Sequence, residues 1–245
     1  MMGSVEWTSS ETARKFRRIA RQCWALLAGP LSEAEELAAK IGFALRAQEP
    51  KNLPELLRLI RKSIGDHRLE FAEDHLRSSL AMSYSDFRKK GKRELPDDLY
   101  GQVLREVKEH RSPVELIILG FFEGGAPVLV KVSWEKVWRC YDFAVIGSGT
   151  ALAEASLFQR DQNIFDPIQA TVYQVYEAKR LAEKAPEVGK RLSLMVLGDN
   201  KDPELLTEEG VKFLAKQFSR FGARRIKPTE FPANAFATMR LRRTP

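Results

Sequence analysis

The spacing of apolar positions changes several times along the chain, and the changes divide it into elements. From Glu11 to Leu27 the pattern predicts two short strands joined at a basic turn. Phe16 and Ile19 mark the first, and the consecutive apolar run Cys23-Trp24-Ala25-Leu26-Leu27 marks the second. An uninterrupted run suits a strand covered on both faces. Ala28-Gly29-Pro30 breaks it, and Ala34, Leu37, Ala38, Ile41 and Leu45 then recur at helical spacing. Ser32 and Glu35 have the S-x-x-E spacing of a capping box, and Pro50 predicts the stop. A second helix is predicted from Pro54, with Leu56, Leu57 and Ile60 facing inward.

Residues 66–111 are charged and weakly periodic, and predict an inserted helical hairpin. Arg88-Lys89-Lys90-Gly91-Lys92-Arg93 and Pro96-Asp97-Asp98 read as its exposed turn. Strands are predicted at Val114–Phe122 and Pro127–Val132, flanking the hairpin signal Glu123-Gly124-Gly125-Ala126. Tyr141–Ile146 predicts another strand, running into Gly147-Ser148-Gly149 and a short helix from Thr150 to about Gln159. Asp166 and Pro167 have the start chemistry of a longer helix, with Ile168, Val172, Val175 and Tyr176 inward. A strand at Leu192–Leu197, a helix near Pro203–Phe221 and an irregular basic tail over residues 223–245 complete the reading. Helices fall in consecutive pairs between blocks of antiparallel strands. That order predicts an α+β fold, two sheets between helical layers, and argues against a doubly wound parallel sheet. One domain is expected over residues 1–222.

Composition narrows the function classes. With 245 residues, 44% hydrophobic and 30% charged, the chain can bury a core without disulfide or metal. No apolar run approaches the roughly 18 to 20 residues of a membrane span, and Met1–Thr8 lacks the pattern of a secretory signal. Cys23 and Cys140 lie far apart without a CxxC partner, so reduced, partly buried thiols in the cytoplasm are expected. The net charge of +7 is spread over three basic clusters, near Arg14–Arg21, Arg88–Arg93 and Arg240–Arg243. None interleaves aromatic residues in the manner of a single-strand-binding surface, and a nucleic-acid partner is not expected. His67, His75 and His110 lack metal-ligand spacing, so neither metal nor cofactor is assigned. Leu152 occupies the third glycine position of a G-x-G-x-x-G reading of the Gly147 turn, which argues against a dinucleotide loop. Taken singly, Lys15 is a solvated lysine in an arginine-rich strand and Gly29 a turn glycine.

Three segments in order carry a resemblance: Thr12-Ala13-Arg14-Lys15-Phe16 leading to Leu27-Ala28-Gly29, the hairpin at Leu116–Val132, and Phe143–Gly149 entering a helix. Over roughly Glu11 to Gly198 the chain resembles the proteasome-type N-terminal-nucleophile hydrolases, the family of the proteasome core subunits and the bacterial HslV-type protease. The resemblance implies a four-layer αββα sandwich, threonine-peptidase-like hydrolysis of a peptide or amide substrate, and assembly into homo-oligomers. It also implies three site residues. Lys15, fourteen residues before Gly29, would lower the pKa of the nucleophile region by its charge. Gly29 would donate its N–H to the oxyanion, and Ser148 would bond the free amine of the nucleophile residue. Two departures are evident. The turn Lys184–Gly189 lacks the family's aspartate and serine, with Glu187 as the nearest acid. The family also begins with two strands that present the nucleophile, which need roughly 15 more residues than precede Glu11 here, so hydrolysis is expected of a complete form and the chain as given is expected to be inactive. The alternative implied is a non-catalytic, partner-binding relative.

Overall fold

A computed structural model of the chain describes residues 15–121, 126–199, 201–222, 228–230, 232 and 234–238. It is a mixed α+β fold with two antiparallel sheets. The first is a five-stranded meander, β1 (Phe16–Ala20), β2 (Cys23–Ala28), β3 (Glu115–Phe121), β4 (Pro127–Ser133) and β5 (Val137–Cys140), in that order across the sheet. Between β2 and β3 the chain forms α1 (Leu31–Ala47), α2 (Leu53–Leu80), a run of short turns made of α3 (Tyr84–Asp86), a π turn (Phe87–Gly91) and α4 (Lys92–Glu94), and then α5 (Asp97–Glu109). After β5 come α6 (Thr150–Gln159) and α7 (Ile168–Ala182). The second sheet, β6 (Met195–Val196), β7 (Glu204–Leu206) and β8 (Phe236–Thr238), holds α8 (Glu208–Phe221) between its last two strands.

The first core lies between α1, α2 and one face of the five-stranded sheet. Strand alternation sends Ala25 and Leu27 of β2, Leu116 and Ile118 of β3, and Val128, Val130 and Val132 of β4 to that face. They meet Leu37, Ile41 and Leu45 of α1 and Leu56, Ile60 and Ile64 of α2, and each such side chain contributes about 1.5–3 kcal/mol on burial. A second core joins Val172, Tyr173 and Tyr176 of α7 to Leu194, Leu206 and Leu214. A third, small core packs Leu76 at the far end of α2 against Phe87 and Val103.

Several elements differ from the sequence reading for identifiable reasons. Tyr141–Ile146 is not a strand. Val137–Cys140 already occupies the free edge of β4, and Phe143 and Val145 pack instead on Ala153, Leu157, Ala178 and Ala182 of the α6–α7 pair. The first half of the expected insertion is the continuation of α2, which runs unbroken to Leu80 and ends on Ala81 in the left-handed region. Helix α1 starts one residue before Ser32, at Leu31, with no side-chain cap, so Ser32 and Glu35 form no capping box. In α7 the N-cap is Pro167, and the buried face is Val172, Tyr173, Tyr176 and Glu177, leaving Ile168 and Val175 half exposed. The predicted helix near Pro203 begins five residues later, because Glu204–Leu206 pairs with both β6 and β8. Phe236–Thr238 therefore draws part of the predicted tail into the second sheet. The glycines of the β3–β4 connection lie outside the described residues. Among the described residues no helix is long and apolar enough to cross a membrane.

Candidate functional site

Four segments meet at one end of the five-stranded sheet. The Leu27 N–H donates to the Lys15 carbonyl at 2.8 Å, which sets the start of β1 beside the end of β2. Gly29 follows with φ +92°, a conformation that favours glycine, and a Cβ there would stand 2.6 Å from the Pro113 carbonyl oxygen. Both constraints require glycine at the β2 exit. Gly147, at φ +90°, lies against Ala28: a Cβ on it would be 3.6 Å from the Ala28 methyl. On the other side, Val188 of the Lys184–Gly189 turn reaches the Gly149 position, where a Cβ would come within 3.2 Å of its Cγ2.

A polar knot holds the Gly147 turn in place. Glu115 faces Ala28 across the β2–β3 ladder, and its Oε2 accepts the Gly147 N–H at 3.0 Å. The Gly147 carbonyl accepts the Thr150 hydroxyl at 2.7 Å as the turn enters α6. Lys131 of β4, its side chain only 12% exposed, stands 3.5 Å from Glu115 and 3.9 Å from Glu154 of α6. One ammonium therefore bridges a carboxylate of the sheet and a carboxylate of the helix. The same Lys131 lies 5.8 Å from the centre of the Trp138 ring, within cation–π range.

Lys15, Gly29 and Ser148 thus belong to segments that pack together. Lys15 and Ser148 are exposed, and neither side chain has a hydrogen-bond partner among the described residues. Glu187 is exposed as well and sits at φ 67°. Residues 1–14 lie outside the described residues. The sequence reading missed Glu115, Lys131 and Glu154. The signal available for Lys131 was a charge in the middle of the strand Val128-Leu129-Val130-Lys131-Val132, which by alternation alone reads as a solvent position.

Both cysteines are shifted away from the low pKa of an activated thiolate. Burial pushes the Cys23 thiol up to about 11, with the Glu49 charge adding to it. Burial raises Cys140 too. A possible ligand set is formed by Glu36 of α1 with His67 and Glu70 of α2. The Lys40 ammonium already occupies its centre, hydrogen-bonded to Glu36 at 2.7 Å, to His67 Nδ1 at 3.1 Å and to Glu70. Its hydrogen bond holds Glu36 below the usual carboxylate range. The arrangement is an α1–α2 tie in which the chain supplies its own cation.

Chemically, the sheet end offers an exposed ammonium, a glycine-built bend and an exposed serine hydroxyl on a turn anchored at both its N–H and its C=O. Compared with models of known protein families the chain matches none, and it matches no curated protein in sequence.

Proposed function

We propose that the chain is a proteasome-like N-terminal-nucleophile hydrolase, an αββα sandwich that cleaves peptide or amide bonds by a threonine-peptidase type of mechanism. The observation that supports the reading is the meeting of the Lys15, Gly29 and Ser148 segments at one end of the five-stranded sheet. On this reading Lys15 stabilises the deprotonated nucleophile, the Gly29 N–H receives the oxyanion, and Ser148 bonds the amine that acts as base. The nucleophile itself belongs to a mature N-terminus that precedes β1. Glu115 and Lys131 are positioning residues, since they act on the substrate only through the Gly147 turn.

Hydrolysis of fluorogenic peptide amides by a form of the chain that carries the nucleophile-bearing strands ahead of β1, and by variants of that form, tests the assignment. Lys15→Ala is expected to lower kcat by about 10²-fold or more, the range typical of a lost proton-transfer or charge-stabilising group. Full turnover by Lys15→Ala would overturn the reading.

A second reading, a non-catalytic subunit that works by binding, is favoured by the exposed apolar side chains beside the α6–α7 connection. Phe158, Ile164, Phe165 and Ile168 are all at least half exposed, and Phe165 is 88% exposed. Such a cluster suits contact with further copies of the chain. No turnover of any peptide amide, together with a sedimentation coefficient above that of a monomer, would favour this reading.

A further inference from the structure

A cleft of about 760 Å³ opens between α2, α3, the end of α5 and the β4–β5 turn, on the α1–α2 side of the sheet. Its size is within the range of small-molecule sites. Its wall is aromatic. Phe71 of α2 stacks on His110 with ring centres 3.6 Å apart, and Trp134 stands edge-on to both, at 6.0 Å and 5.1 Å. Tyr84 continues the aromatic lining.

Its rim is cationic. The Arg68 guanidinium carbon lies 5.6 Å from the centre of the Trp134 ring, and its Nε is buried with no hydrogen-bond partner. A buried, unsatisfied guanidinium N–H is uncommon and costly, and Arg68 lines the cleft, where a guanidinium forms strong charge-assisted bonds with anionic oxygens. Arg111 is oriented by Glu135, at 2.5 Å, and by its own bonds to the Lys108 and His110 carbonyls, both 2.8 Å. Lys108 completes the rim. Neither Arg68 nor Lys108 has an acidic partner among the described residues, so Arg68, Lys108 and Arg111 face the single carboxylate of Glu135.

We infer that this cleft binds a small organic anion carrying a planar aromatic ring, with the anionic group on Arg68, Lys108 and Arg111 and the ring against the Trp134–Tyr84 wall. Guanidinium groups match the geometry of phosphate and carboxylate oxygens, and aromatic walls accept planar rings at little conformational cost. A nucleoside monophosphate and an aryl carboxylate share this chemistry. The site is separate from Lys15, Gly29 and Ser148, and does not depend on the hydrolase reading.

Calorimetric titration of the whole chain with adenosine monophosphate, indole-3-acetate, adenosine and inorganic phosphate tests it. At least one of the two ring-bearing anions should bind, and which one identifies the source. Adenosine and phosphate alone should each bind at least about tenfold more weakly, because each satisfies only half of the cleft. Arg68→Gln should weaken the bound anion by about tenfold. Lys108→Gln changes only an exposed side chain and so tests the cleft even where Arg68→Gln impairs folding, and a threefold or greater loss is expected on the order of one screened charge contact. Lys15→Ala should bind as the unmodified chain does. No binding of either ring-bearing anion at millimolar concentration, or binding unchanged in Lys108→Gln, would overturn the inference.

Discussion

At the scale of single residues, environment decides chemistry more than identity does. Cys23 follows the bend of the first hairpin, yet burial and the nearby Glu49 hold its thiol protonated up to about pH 11. A free cysteine ionises near 8.5, so at pH 8 the thiolate fraction of Cys23 is lower by a factor on the order of 10². Alkylation by iodoacetamide at pH 8 should therefore be slower than that of a free thiol by about that factor. Rapid labelling of Cys23 in the folded chain would mean that this pocket opens in solution. Gly29 and Gly147 show the opposite dependence, since their backbone conformations admit few other residues. Both were legible in the sequence as turn glycines. Their proximity was not, because it depends on the register of β2 against β3 and on one side chain, Glu115, reaching across to the Gly147 N–H. Lys131 was illegible for a related reason: a strand position reads as solvent-facing until the element covering that face is known.

At the scale of elements, α6 and α7 are joined by a buried ion pair. Arg160, just past the end of α6, places Nε and Nη2 within 3.0–3.3 Å of both Glu177 oxygens, and the Glu177 side chain is only 5% exposed. The desolvation cost of such a pair is large, and removing one member leaves the other uncompensated. Arg160→Met should therefore destabilise the fold by about 3–5 kcal/mol in urea denaturation. The double variant Arg160→Met with Glu177→Leu should recover most of that loss. A double variant no more stable than the single would show that the pair contributes more than mutual neutralisation. This tie also explains why the inward face of α7 departs from the apolar periodicity. Glu177 is inside because Arg160 meets it, and Tyr173 is inside because its hydroxyl donates to the Gly222 carbonyl at 2.5 Å. Elements whose apolar pattern faces one continuous core, such as β1 to β4 and α1, were readable from spacing alone. Elements fixed by a specific partner, such as Tyr141–Ile146 and Glu204–Leu206, were not.

At the scale of the whole molecule, stability on the acid side should fall in two stages. Burial lowers the His110 pKa from its ordinary 6.5 despite the opposing Glu33 charge, and His75 and Arg111 lower it further. Between 6.5 and the lower folded value, the unfolded chain binds a proton that the folded chain does not. Stability therefore decreases as pH falls through 6.5, with a slope of at most about 1.4 kcal/mol per pH unit for one proton. The carboxylates with lowered values, Glu36 and Glu183 among the partly buried ones, contribute stability above their ordinary 4.5 that is lost as pH falls below it. His110→Gln should flatten the dependence between pH 7 and 5.5 while leaving the steeper loss below 4.5 in place. Chemical denaturation at a series of pH values distinguishes the stages, and an unchanged slope in His110→Gln would assign the first one elsewhere.

The 28-residue helix α2 is shared by two cores, with Leu56, Leu59, Ile60 and Ile64 on the sheet and Leu76 against Phe87 and Val103. An α-helix turns by about 100° and rises by about 1.5 Å with each residue, so the angle between the two cores is counted out in residues along this one rod. A single residue inserted between Ile64 and Gly65 would swing everything beyond it by about a quarter-turn. Phe71 would be carried away from His110 and Trp134, and Arg68 away from its ring. The same residue inserted between Ala81 and Ser83 would be absorbed by a bend. Variation in length among descendants of this chain should accordingly accumulate at the tip of the helical arm and be excluded from its shaft, however exposed the shaft's outer face.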